Sequence, residues 1–240
     1  NMRTVIIAVL AFILIGTAAE AFGRELRVTT AADLVNCAAG VALAAGPDAG
    51  QVSAAGDTCV VLPGTYALAA AVVVTLQNLT IRSSNGATAT VIVGLAANPV
   101  FRIQADGVTI GGPKEDQGFT ITGAGLEGID VGTGAPAGQA DENITIQNNI
   151  IRNNTNQGIR VVTAGAIETF RIIKNTIRDN GNQGILFDVT VTGIGRRGQD
   201  RNVIIAENFF EANTLDNISF FNNGNIENTA ILNNEILRSV

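Results

Sequence analysis

From Asn143 to Val240, short segments alternate between apolar and polar residues and are separated by turns rich in asparagine and glycine. ENITIQNNIIRNNTNQGIRV (142–161) is echoed by TFRIIKNTIRDNGNQGILF (169–187), by NVIIAENFFEANTLDNISF (202–220) and in part by TAILNNEILRSV (229–240). Aligning the asparagine that ends each first segment places Asn149, Asn175, Asn208 and Asn234 in one column, at spacings of 26, 33 and 26 residues. A second column holds Ile151, Ile177, Phe210 and Ile236, and a third holds Ile159, Ile185 and Ile218. Repeats of this length are the mark of a stacked solenoid, in which each unit buries its apolar face against its neighbours. The segments alternate with period two, are β-branched, and carry asparagine where a helix would need strong helix formers, so the repeats predict strands.

The pattern extends towards the N-terminus. GFTITGAGLEGIDV (118–131) aligns with the unit after it, Ile121 on Ile151 and Ile129 on Ile159. VIVGLAANPVFRI (91–103) precedes it, and the alignment sets Val93 under Ile121 and Phe101 under Ile129. The column opening each unit reads Leu79, Val108, Ile144, Phe170, Val203, Thr229, which gives about six coils, the last incomplete. Upstream, ELRVTT predicts a short strand, and Thr30 caps a predicted amphipathic helix over 31–45 with Leu34, Cys37, Val41 and Leu43 on one side. A solenoid has an open apolar end, and this helix is placed to cover it.

The cap followed by GDTCVVLPGTYAL, VVVTLQNLTIRSSNG and the NITIQNN-type repeats resembles the right-handed parallel β-helix superfamily of pectin-lyase-like proteins, over about residues 26–240. The resemblance implies an all-β fold: a right-handed parallel β-helix with an N-terminal α-helical cap over 22–58 and coils over 59–240. Enzymes of that superfamily which cleave or epimerise acidic polysaccharides hold calcium in a carboxylate cluster with an arginine or lysine base, or group several aspartates for hydrolysis. Both devices need carboxylates on consecutive coils facing one way. The outward column of the third strands reads Asp130, Arg160, Leu186, Ser219, and that of the first reads Thr145, Arg171, Ile204, Ala230. Neither is a carboxylate cluster.

Composition narrows the chemistry further. The chain has no histidine, which excludes His-based catalysis and His metal ligation. Its net charge of −6 argues against a nucleic-acid partner. Residues 2–21 read as a secretory signal, with Arg3 as its basic start and Ala19-Glu20-Ala21 as a small-x-small cleavage site; a retained, pilin-like apolar helix is the alternative. The expected location is therefore secreted, extracellular or at the cell surface, with the periplasm included. Two cysteines, Cys37 and Cys59, would form one disulfide in an exported chain, or remain two buried thiols.

The asparagine column reads as a structural ladder, since stacked amides hydrogen-bond to one another and asparagine accepts left-handed turns. Outward charges face each other on neighbouring coils: Asp130 and Arg160, Lys174 and Glu207, Arg178 and Glu211. Coil length varies between the third strand of one coil and the first of the next, at 132–142, 162–169, 189–202 and 221–228, so these insertions share one edge, where repeat proteins usually bind. They supply the candidate contacts for a glycan or partner: Arg196, Arg197, Asp200 and Arg201, with Asp141, Glu142 and Glu168 beside them. Arginine forks suit carboxylated or sulfated sugars. GGPKEDQG (111–118) leaves from another corner. Sequons at Asn78, Asn143, Asn153 and Asn217 arise mostly from the repeat itself.

The sequence ends partway through a coil, which points either to a longer protein or to an end covered by another copy. The leading expectation is a non-catalytic secreted or cell-envelope protein that is structural, self-associates or binds extracellular polysaccharide, without a cofactor. The alternatives are a polysaccharide lyase using calcium, with Arg196, Arg197 or Arg201 as base, and a filament subunit with its N-terminal helix retained.

Overall fold

The structure is a computed structural model that describes residues 23–136, 142–162, 169–189, 203–222 and 228–237. It is a parallel β-solenoid of about six turns with one short α-helix near the N-terminus. Each coil contributes one strand to each of three sheets. The coil 145–161, for instance, gives Thr145–Gln147 to sheet one, Ile150–Arg152 to sheet two and Ile159–Val161 to sheet three. Every strand pairing along the stack is parallel. A seventh, partial coil follows with strands Thr229–Leu232 and Glu235–Ile236.

These strands are only two to five residues long and could not stand alone. Burial of their inward columns holds them. Ile146, Ile172 and Ile205 stack inside sheet one, Ile121, Ile151, Ile177 and Phe210 inside sheet two, and Ile129, Ile159 and Ile185 inside sheet three, all fully buried. Each such side chain contributes about 1.5–3 kcal/mol. Phenylalanines also pack along the stack: Phe187 and Phe220 stack at 5.0 Å, and Phe170 meets Phe187 edge-on at 6.3 Å.

The expected columns are present in register, with one slip. Ile92, not Val93, lies under Ile121. The run Val91-Ile92-Val93 is apolar throughout, so alternation cannot choose its register; burial of Ile92 does.

The helix spans Ala31–Ala39 and is shorter than expected. Thr30 caps it by accepting from the Asp33 N–H at 3.1 Å and donating its hydroxyl to the Asp33 carboxylate at 2.8 Å. Gly40 ends it in the left-handed conformation, φ 69°, which turns Val41 out into solvent. Leu34, Cys37 and Ala38 are buried, and the helix packs over strands Glu25–Val28, Thr58–Val61 and Val72–Val74. A Cys37–Cys59 disulfide joins the helix to the first coil, with Cα atoms 6.2 Å apart.

Candidate functional site

The chain turns from sheet one to sheet two at residues in the left-handed region: Asn148, Lys174, Glu207 and Asn233, with φ between 53° and 58°. The residue after each is a ladder asparagine: Asn149, Asn175 and Asn208 are buried, and Asn234 is half-buried. Asn175 accepts at Oδ1 from the Asn149 N–H and side-chain amide, at 3.0 and 3.2 Å. Its Nδ2 donates to Asn208 Oδ1 and to the carbonyl of Ile146. Asn208 hands the pattern to Asn234, and Asn149 starts it by accepting from the Phe119 N–H. Asn149, Asn175, Asn208 and Asn234 are thus joined rung to rung.

A second ladder, which the repeat alignment did not single out, runs along the corner between sheets two and three. Asn154 donates to Asn180 at 3.0 Å, Asn180 to Asn213 at 2.9 Å, and Asn213 to Asn217 within the same coil at 2.8 Å. Its signal was available in the sequence, since Asn154, Asn180 and Asn213 follow the first ladder at a constant offset. Asn217 is buried, so its sequon is shut, whereas Asn78, Asn143 and Asn153 are exposed.

The outward charges pair differently from the expected facing pairs. Lys174 does meet Glu207, at 3.6 Å and half exposed. Asp130 instead binds Arg102 at 3.2 Å, leaving Arg160 to Asp188 at 2.8 Å and Glu127 at 3.8 Å. Arg178 binds its chain neighbour Asp179 at 2.7 Å rather than Glu211. Strand register fixes which Cα atoms are neighbours, but a long arginine reaches diagonal and sequence-adjacent acids equally well.

Of the candidate contacts on the insertion edge, Glu142 is described. Its N–H donates to Asp106 Oδ1 and its carbonyl accepts from Gly107, so its backbone closes a turn. Asp141, Glu168, Arg196, Arg197, Asp200 and Arg201 lie outside the described residues. Among the described residues no group of three or more Asp, Glu, His or Cys side chains could hold a metal ion.

A groove of about 670 Å³ lies at the asparagine corner. Two loops build its wall. Loop 84–89 is fixed by the Thr120 hydroxyl, which donates to the Ala87 carbonyl at 2.7 Å; loop 112–118 is tied down by Asn148 Nδ2, which donates to the Gly112 carbonyl at 2.7 Å. Both loops join sheet one to sheet two in the earlier coils. Beyond them Ile150, Thr176 and Phe209, in register on three consecutive strands, form a half-buried floor. Asn148, Lys174 and Glu207 form the rim, with Glu115, Asp116 and Asn85 opposite. Such a volume falls in the range of small-ligand clefts. An apolar, partly aromatic floor between amide, hydroxyl and charged groups can hold a ring-shaped polyol by its face and its edge together.

The chain matches no family model, no curated protein and no solved structure.

Proposed function

We propose that the chain is a non-catalytic β-helix module, exported to the cell envelope or beyond, that binds extracellular polysaccharide along the asparagine corner. The observation that carries this reading is the groove floor of Ile150, Thr176 and Phe209, which repeats at the strand spacing of about 4.8 Å and suits an extended ligand lying along the stack. The Cys37–Cys59 disulfide supports export, because such bonds persist in oxidising compartments. Kinship with the pectin-lyase-like proteins is part of the proposal and is supported by three parallel sheets beneath an N-terminal helix. A binding rather than a lytic role is supported by the pairing of Glu207 with Lys174 and of Asp130 with Arg102.

Electrophoresis through gels carrying neutral or acidic polysaccharides tests this reading, alongside a depolymerisation assay with calcium. We expect retardation in at least one gel and no shortening of the polymer. Shortened polymer would make the chain a lyase or hydrolase, and unretarded migration in every gel would remove the binding role. A second reading, self-association with another copy, is favoured by the exposed apolar residues Ile231, Leu232, Ile236 and Leu237 of the seventh coil. Sedimentation across a concentration series tests it, and a single unchanging species would remove it.

A further inference from the structure

We propose that the outer face of sheet two carries a second site, at the step from Arg152 to Arg178, for a tetrahedral oxyanion such as sulfate, phosphate or their monoesters. Arg152 and Arg178 stand directly opposite each other on neighbouring parallel strands. Their strands alternate with Ile151 and Ile177 inward, so both guanidinium groups leave from the outer face, about 4.8 Å apart at the backbone. Like charges placed opposite in a sheet repel.

Arg178 is offset by its ion pair with Asp179, and Glu211 stands opposite it on the next strand. Arg152 is not offset by anything described. Its neighbour on the preceding coil is Thr122, the next residue on its own face is Ile150, and the turn after it is Asn153. Arg24, Arg27, Arg82, Arg102 and Arg160 each hold an acid within 4.0 Å, as Arg178 does. Arg171, which has no ion pair among the described residues, is exposed to water on sheet one. Arg152 differs from it: its Nε–H is buried and has no hydrogen-bond partner. A buried charged donor left unmade is costly, and an anion is the partner that would remove the deficit.

The spacing selects the anion. One carboxylate is satisfied by one guanidinium fork, whereas two forks on successive strands present donors to separate oxygens of a tetrahedral ion. The site does not depend on the groove, whose floor begins at Ile150 on the same strand, and would stand if the groove bound nothing.

Isothermal titration of the full chain with sodium sulfate and with sodium phosphate, in low-salt chloride buffer, tests the proposal. We expect one saturable site for each ion. Arg152→Gln should weaken it at least about tenfold, Arg152→Lys should weaken it less, and the exposed-arginine control Arg171→Gln should leave it unchanged. A sulfated monosaccharide titrated in the same way separates the sources: tighter binding than free sulfate assigns a carrier-borne ester, and equal or weaker binding assigns the free ion. Absence of a saturable site for both ions, or binding by Arg152→Gln equal to that of the parent, would overturn the proposal.

Discussion

Asn175 and Asn208, 33 residues apart in the chain, are joined twice: the Asn175 N–H and its side-chain amide both donate to the single Oδ1 of Asn208, at 2.9 and 3.0 Å. The same double link connects Asn149 to Asn175 and Asn208 to Asn234. Removing the middle amide leaves donors and acceptors unmet on both neighbouring coils. We expect Asn175→Ala to cost about 2–4 kcal/mol in urea unfolding and Asn234→Ala, at the more exposed rung, clearly less. Equal losses at the two rungs would contradict a cooperative ladder.

The second ladder dictates glycine nearby. A Cβ at Gly158 would lie 2.7 Å from the Gly184 carbonyl oxygen, 2.8 Å from Ile177 Cγ2 and 3.0 Å from Asn180 Nδ2. Gly158→Ala should therefore cost about 1–3 kcal/mol through overpacking. Asn217 stands in the same column one coil beyond Gly184 and closes the ladder with its own side chain, so Asn217→Gly should destabilise although it restores the repeat. Thermal midpoints of the two variants check both signs.

Phe209 is half-buried on the groove floor and outside the fully buried core. Phe209→Ala should abolish gel retardation by polysaccharide while lowering the thermal midpoint by only a few degrees, corresponding to about 1 kcal/mol. Retardation that survives the substitution would locate the binding surface elsewhere.

The N-terminal end is pinned by two aspartates that titrate low. Burial pushes the Asp57 carboxyl up, but hydrogen bonds from the Arg24 and Ala54 N–H groups and the Arg24 guanidinium outweigh it and hold it below the ordinary 3.8. Asp48 is lowered chiefly by the Arg27 N–H. A depressed folded-state value means stability that is complete above the unfolded value and is lost as pH falls through the folded one. Unfolding free energy should thus be level in these two groups above about pH 5 and decline in the acid range below 3.8. Asp57→Asn should flatten that decline in acid unfolding curves.

Reduction of the Cys37–Cys59 bond releases a cross-link spanning 22 residues. In the chain-entropy picture this costs about 3 kcal/mol. The Cys37→Ser, Cys59→Ser double variant should show that loss in urea unfolding and should no longer respond to dithiothreitol.

The coils were legible because period-two alternation and a recurrent asparagine mark the same positions in each. The slip at Val93 arose where three apolar residues in succession remove the alternation. The helix was read past its end because the apolar spacing continues through Val41, while Gly40 had already left the helical conformation. The ion pairs were misassigned because register locates backbones and not the tips of arginines. The groove was not legible for another reason: loops 84–89 and 112–118 occur once each, so no repeat announces them, and their meeting with Phe209 is made only by stacking the coils.

Because each rung of the ladders asks of the next coil only an asparagine oxygen in the right place, and each coil offers the same oxygen in return, the coils are interchangeable parts. Chain length varies freely in the segments joining sheet three to sheet one, where the spacing changes from 26 to 33 residues without breaking a rung. Lengthening such a protein by copying one whole coil in tandem would leave every link intact, whereas copying half of one would break both ladders at once. The unit of inheritance that this architecture permits to multiply is the complete turn.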